Sequence, residues 1–113
     1  MKYRQGDIVL LPYPYTDLSQ TKQRPAVIIS NEAANSQNYI VAKITSVIRD
    51  DQFSFAISPS DIDRALRFES EVRTNEVFTV NQTLIIKKFA SFKKESLRRL
   101  TESVKANISV APE

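Results

Sequence analysis

Cysteine, histidine and tryptophan are absent, and a single glycine, Gly6, stands among 113 residues. Without thiols or imidazoles the chain forms no disulfide and has no cysteine nucleophile or histidine acid/base, and zinc loses its usual ligands. The shortage of glycine excludes the tightest hairpin turns, so the connections must be longer and polar, with side chains available for contacts. No apolar run approaches the roughly eighteen residues that mark a membrane helix. The opening Met-Lys-Tyr-Arg-Gln-Gly-Asp lacks the apolar core of a signal peptide. The expectation is a cytoplasmic protein with no membrane association.

What is present is the balance of one globular domain spanning residues 1–113, with 42% hydrophobic and 26% charged residues. A formal charge of +3 permits a polyanionic partner without requiring one. The charge is uneven: seven lysines and arginines against two glutamates lie between Lys87 and Lys105, a local +5. The solvated face of a terminal helix accounts for most of that run. Paired carboxylates at Asp50-Asp51 and at Asp61 and Asp63 read as a turn and a helix start, not as a metal site. No metal and no cofactor are expected.

Short apolar segments alternate with polar punctuation, without repeats or linkers. Asp7 to Leu11 reads as a strand ended by Pro12 and Pro14. Pro25 opens a second strand, Ala26 to Ser30, and a third runs from Tyr39 to Ile44 after an Asn-rich connection containing a helical turn. Phe53 to Ile57 is a fourth strand, and Ser60 to Leu66, after Pro59, predicts a short helix. Glu71 to Asn75 and Val77 to Val80 follow as two strands or one bent strand, then Leu84 to Phe92. The spacing of Leu97, Leu100 and Val104 predicts a helix over Lys94 to Ala106 that buries one stripe. Together these indicate a small, curled antiparallel sheet or barrel with one C-terminal helix.

Geometry alone singles out one place. If the second and third strands are antiparallel neighbours, Arg24 and Thr45 are equidistant from the centre of their connection and end side by side at one rim. A five-donor guanidinium and a hydroxyl then converge beside the polar loop Thr16 to Gln23. On the residues alone the favoured reading is the plainer one, in which Arg24 pairs with Asp17 or Asp7 while Thr45 merely satisfies backbone.

The run Gly6-Asp7-Ile8-Val9-Leu10-Leu11-Pro12-Tyr13-Pro14-Tyr15-Thr16-Asp17-Leu18, followed by Lys22-Gln23-Arg24-Pro25-Ala26-Val27-Ile28-Ile29-Ser30, resembles the opening of the MazF/PemK toxin family. The resemblance continues through Val41 to Ser46, Glu71 to Asn75 and Leu84 to Leu100. It implies a mainly β, SH3-like barrel with short helices and a C-terminal helix. It also implies a homodimer that acts as a sequence-selective, metal-independent endoribonuclease on single-stranded RNA, controlled by a cognate acidic antitoxin in a type II toxin-antitoxin system.

Carried over residue by residue, the resemblance makes Arg24 and Thr45 catalytic, as donors to the phosphate. Arg73 and Asn75, on the matched later strand, become RNA contacts. Lys22 and Gln23, next to Arg24 on the polar loop, with Ser46, adjacent to Thr45, are RNA-contact candidates by position. In the branch of the family whose later strand reads Val-Arg-any-Asp, the aspartate is the better base and the arginine a phosphate ligand. This chain keeps Val72 and Arg73 but has Asn75 in place of that aspartate, and it lacks the first-loop histidine of some members. The general base is therefore unassigned, and a module of the same fold that binds RNA without cutting it is one alternative. A gyrase-inhibiting relative is another, but the Trp-Gly-Ile tail of those toxins is missing. Tyr13, Tyr15 and Phe53 are candidates either for stacking on bases or for packing. The first strand, with Ile8 and Leu10 on one side and Val9 and Leu11 on the other, predicts an apolar surface buried in a twofold dimer.

Overall fold

The computed structural model describes residues 2–12, 22–32, 34 and 36–112. Six strands run in the order β1 (Asp7–Pro12), β2 (Gln23–Ile28), β3 (Asn38–Thr45), β4 (Ser54–Ala56), β5 (Glu71–Asn81) and β6 (Lys87–Ser91), and α1 (Lys94–Ala106) ends the fold. They form one antiparallel sheet in the order β4-β5-β3-β2-β1-β6.

The expected SH3-like barrel is not formed: the sheet is open, with β4 and β6 as its two edges among the described residues. Closure requires edge strands that can pair along a common length. β4 has only three residues, and the chain beyond it leaves the ladder through Pro59 in a 3-10 turn, Pro59–Asp61. An isolated bridge between Ile62 and Phe92 is what remains between the two ends. The helix predicted over Ser60 to Leu66 is also absent, reduced to that single turn. Ser58 and Asp61 cap each other reciprocally around it, and Ile62 is already extended where it meets Phe92.

Alternation along the strands sorts the core into two clusters, one on each face of the sheet. Ile8, Val27, Ala42, Ile44 and Val72 lie with Leu100 of α1 on one face. Val9, Leu11, Ala26, Ile28, Tyr39, Val41 and Val80 gather on the other with Tyr3 and Ile85. Ile8, Val9 and Leu11 are fully buried within the single chain. The two-sided apolar character of β1 therefore follows from two cores in one chain and needs no dimer to explain it.

The predicted helix has its bounds at Lys94–Ala106, with Leu100 and Val104 buried. Gly6 lets it approach: its φ is +93°, and a β-carbon there would lie 3.0 Å from Leu97 Cδ2. β2 begins at Gln23, ahead of its predicted start, with Pro25 inside it opposite Leu10. The β2–β3 ladder starts only at Ala26, so Pro25 sits where the strand is paired on one side and a missing donor is tolerated. β5 is one strand, but its register against β3 slips: Ala42 faces Val77 while Ile44 faces Val72, so Arg73 to Glu76 all stand against Lys43. Such an irregularity re-aims side chains and recurs beside functional sites.

Candidate functional site

The rim where β2 enters the sheet and β3 leaves it collects the residues singled out above. The register of β2 against β3, Ala26 to Lys43 and Val27 to Ala42, continued two residues outward sets Arg24 opposite Thr45. Both are half-buried. The next pair of the sheet is Thr45 with Glu71 on β5, so Arg24, Thr45 and Glu71 form a row across three strands. By strand alternation this row belongs to the face opposite α1, which carries Ala26 and Val41 further in.

Thr45 is the last residue of β3, and its Oγ1 accepts the Val47 amide at 3.0 Å. With a lone pair so occupied, the hydroxyl hydrogen is left to point at an acceptor, which suits a donor to a phosphate oxygen. The Arg24 guanidinium donates to the Gln23 carbonyl at 3.1 Å. Asp7, one of the acids offered as its partner by the sequence, is instead engaged by the Ser91 hydroxyl, the Arg4 amide and Lys88. Asp17, the other, lies outside the described residues, as do Tyr13 and Tyr15. Lys22, Gln23, Ser46 and Asn75 are exposed, with Asn75 on the irregular stretch of β5.

Arg73 is placed differently from the expectation of a direct RNA contact. It is buried, with one guanidinium nitrogen donating to Asp51 Oδ1, Ser54 Oγ and Glu71 Oε2 at 2.9, 2.9 and 2.7 Å. The other terminal nitrogen reaches Asp51 Oδ2 at 3.1 Å, and Nε reaches Glu76 at 3.3 Å. Asp51 above all, with Glu71 and Glu76, raises the guanidinium above its ordinary pKa despite burial. Arg73 thus stands behind the rim, turned to carboxylates and away from solvent.

Sequence reasoning missed the centre of that cluster. Glu71 is 1% exposed. Burial alone would push its carboxyl up, yet the Ser54 hydroxyl, Arg73 and the Asp50 and Arg49 amides outweigh this and hold it below the ordinary carboxylate range. Asp51 is lowered to about 2, chiefly by its bond to Arg73. A signal was available: in Glu71-Val72-Arg73 the acid and base share one face of a strand, opposite Thr45. The turn expected at Asp50-Asp51 is real, since Asp51 accepts the Phe53 amide and Ser54 Oγ, but the same carboxylate also grips Arg73. Phe53 is half-buried, and its carbonyl accepts from Thr74.

The basic run at the C-terminus is largely neutralised locally. Arg98 meets Glu95, Lys105 meets Glu102, and Arg99 meets Asp61. These pairings account for three of the four cations of the helix without any external partner.

The sequence matches the family of PemK-like, MazF-like toxins of type II toxin-antitoxin systems over residues 4–108. No curated protein sequence matches the chain. Among solved structures, an endoribonuclease from a mycobacterial species superposes with a TM-score of 0.76 at 14% identity, covering 100% of this chain and 97% of that one. The Deinococcus radiodurans MazE-MazF structure (Form-III) gives 0.76 at 15% identity, with 98% and 100% covered. The Mycobacterium tuberculosis toxin MazF-mt6 gives 0.73 at 17%, with 94% and 99% covered. The fold is shared across these proteins.

Proposed function

Because the chain belongs to the PemK-like, MazF-like toxins of type II toxin-antitoxin systems, we propose that it is a sequence-selective endoribonuclease cutting single-stranded RNA without a metal. The observation that supports this reading is the β2–β3 register, which, continued two residues beyond Ala26 and Lys43, would bring Arg24 opposite Thr45 at the open rim. RNA supplies its own nucleophile. Its 2′-hydroxyl loses its proton to solvent water as the oxygen attacks the adjacent phosphorus. The bond to the 5′-oxygen breaks and that oxygen takes a proton from water, and the products are a 2′,3′-cyclic phosphate and a 5′-hydroxyl. Negative charge builds on the phosphorane oxygens, where the Arg24 guanidinium and the Thr45 hydroxyl donate. Lys22, Gln23, Ser46 and Asn75 line the approach as RNA contacts. A guanidinium offers no acceptor and an amide takes no proton at neutral pH, so the 2′-hydroxyl proton goes to none of Arg24, Arg73 and Asn75.

Partners follow from the same chemistry. A donor-rich rim that attracts phosphates also attracts carboxylates, which fits a cognate acidic antitoxin laid across Arg24 in competition with RNA. Among the similar structures, an endoribonuclease from a mycobacterial species is in complex with its cognate antitoxin, and the D. radiodurans MazF is together with MazE. A homodimer in the cytoplasm completes the reading, with the exposed Ile40 and Val77, close together on β3 and β5, as apolar surface for a second copy. No described helix is long and apolar enough to cross a membrane.

The test is incubation of the purified protein with a long RNA in EDTA, with the fragment ends mapped. Cyclic phosphate and 5′-hydroxyl ends at a repeated motif are the expected result. Cleavage abolished by EDTA, or ends bearing 5′-phosphate, would overturn the mechanism. RNA bound but left intact would instead favour the binding module that Asn75 keeps in view.

A further inference from the structure

Between Thr45, where β3 ends, and Ser54, where β4 starts, the chain crosses the rim in a connection held largely by one side chain from another strand. Glu71 Oε1 accepts the backbone amides of Arg49 and Asp50 at 3.2 and 3.3 Å. Its Oε2 accepts the Ser54 hydroxyl at 2.6 Å and Arg73 at 2.7 Å. All four partners are donors. An ionised carboxylate, an acceptor at both oxygens, satisfies them together, whereas an amide must turn an NH2 toward one pair. Asp50 lies in the left-handed region with φ +48°, a conformation a non-glycine residue keeps only when its surroundings impose it. Arg73 locks the arrangement from behind by holding both oxygens of Asp51.

We propose that Glu71 is a positioning residue of the cleavage reaction, whose buried carboxylate fixes the 46–51 segment and thereby the orientation of the Thr45 hydroxyl. The inference rests on the role given to Thr45 above. Glu71 is the cross-strand partner of Thr45, and the Val47 amide that orients Oγ1 belongs to the segment Glu71 holds. When that carboxylate is lost, the Arg49 and Asp50 amides lose their acceptor, Asp50 relaxes, and the Val47 amide moves off Thr45. The donor then meets the phosphate in the wrong place.

The experiment compares Glu71→Gln, Glu71→Asp, Thr45→Val and the double variant Thr45→Val/Glu71→Gln, well below their melting temperatures. A misplaced catalytic group costs on the order of tenfold to a hundredfold, so Glu71→Gln is expected to lower kcat by about that factor. KM should move far less, because the interaction is made in the transition state. Amide exchange at Val47, Arg49 and Asp50 should accelerate. Glu71→Asp, which keeps the charge, should recover part of the rate, and it carries the same test if Glu71→Gln does not fold. The double variant should be no slower than the worse single one.

Loss of rate in Thr45→Val with none in folded Glu71→Gln overturns the inference alone. So do unchanged exchange at Arg49 and Asp50, or losses that multiply in the double variant. A full rate in Thr45→Val overturns the reading of Thr45 on which the inference stands.

Discussion

Asp61 and Glu71 are built from the same parts and serve different ends. Each is a buried carboxylate that accepts backbone amide, serine hydroxyl and arginine donors. Asp61 takes the Ser58 amide, the Ser58 and Ser96 hydroxyls and Arg99, and its backbone carbonyl accepts the Lys93 amide. It thereby pins the first turn of α1 to the turn after β4, with its charge at the positive end of the helix. Glu71 binds the connection that leaves Thr45. A buried, satisfied carboxylate is therefore no marker of a site by itself; the element it immobilises decides what it does. For Asp61 that element is a helix whose exposed face holds its own ion pairs, and for Glu71 it is the rim with Arg24 and Thr45.

The widest separation between the two regions should appear in their arginines. Arg24→Ala should lower the cleavage rate by roughly two to three orders of magnitude, the scale of removing a principal transition-state donor, while the fold persists. Arg99→Ala, although it breaks an ion pair to a buried acid, should leave the rate within about twofold. Single-turnover cleavage of one RNA by both variants checks this. Equal losses would erase the distinction, and a wild-type rate in Arg24→Ala would remove Arg24 from the chemistry.

Stability should separate them the other way. Asp61→Ala strips acceptors from the part-buried Ser58 amide and the buried Ser96 hydroxyl, and should destabilise the fold by about 1–3 kcal/mol, the scale for stranding a buried donor. Denaturant unfolding measures this, and cleavage measured at low temperature should stay near the parent rate. If Asp61→Ala instead abolished cleavage while melting normally, the Asp61 cluster would belong to the site after all.

Both carboxylates also set the acid limit of the fold. Burial opposes ionisation of Asp61, but the Ser58 amide, the Ser96 and Ser58 hydroxyls and Arg99 prevail and lower its pKa; Glu71 is lowered likewise. A carboxyl with a depressed folded-state pKa binds fewer protons in the native than in the unfolded state. Its stabilisation is complete above the unfolded pKa of about 4 and disappears as pH falls through the folded value. The melting temperature should therefore be flat near neutrality and fall below pH about 4, a fall that Asp51, at about 2, prolongs. Asp61→Asn and Glu71→Gln, each less stable at pH 7, should show shallower acid limbs. Parallel limbs in parent and variants would mean that neither carboxyl titrates in this range.

The sequence made the strands, the terminal helix and the antiparallel register of β2 against β3 legible, because each follows from periodicity or antiparallel symmetry. Leu97, Leu100 and Val104 announce the helix, and the midpoint of a hairpin fixes which residues meet. Closure of the sheet was not legible. It depends on where Pro59 turns the chain out of the ladder and on β4 having three residues, which no pattern in Phe53 to Ile57 reveals. The Glu71 cluster was hidden for another reason: its partners Arg49, Asp50, Asp51 and Ser54 meet it only after the β3–β4 connection folds back. The motif makes Arg73 a ligand, whereas its surroundings turn it inward.

The smallest expected effect tests what that motif lost. Asn75 lies on the stretch of β5 that slips against β3, exposed and two residues beyond Arg73. Because Arg73 is already held by Asp51, Glu71 and Glu76, an aspartate at 75 would add a fresh proton acceptor near the rim without taking a partner from the cluster. Asn75→Asp should raise the cleavage rate by a few-fold up to about tenfold, less than the 10²–10⁴ of a well-placed general base, because the surrounding site is not arranged for it. The pH–rate profile should gain an acidic limb that the parent lacks, since the new carboxylate works only when ionised. A rate that falls with no new limb would show that the Asn75 amide contacts RNA and that the proton leaves by another route. The same variant in a Glu71→Gln background sharpens the contrast between the two carboxylates: a base that relies on a correctly held phosphate gains nothing once the 46–51 segment is released.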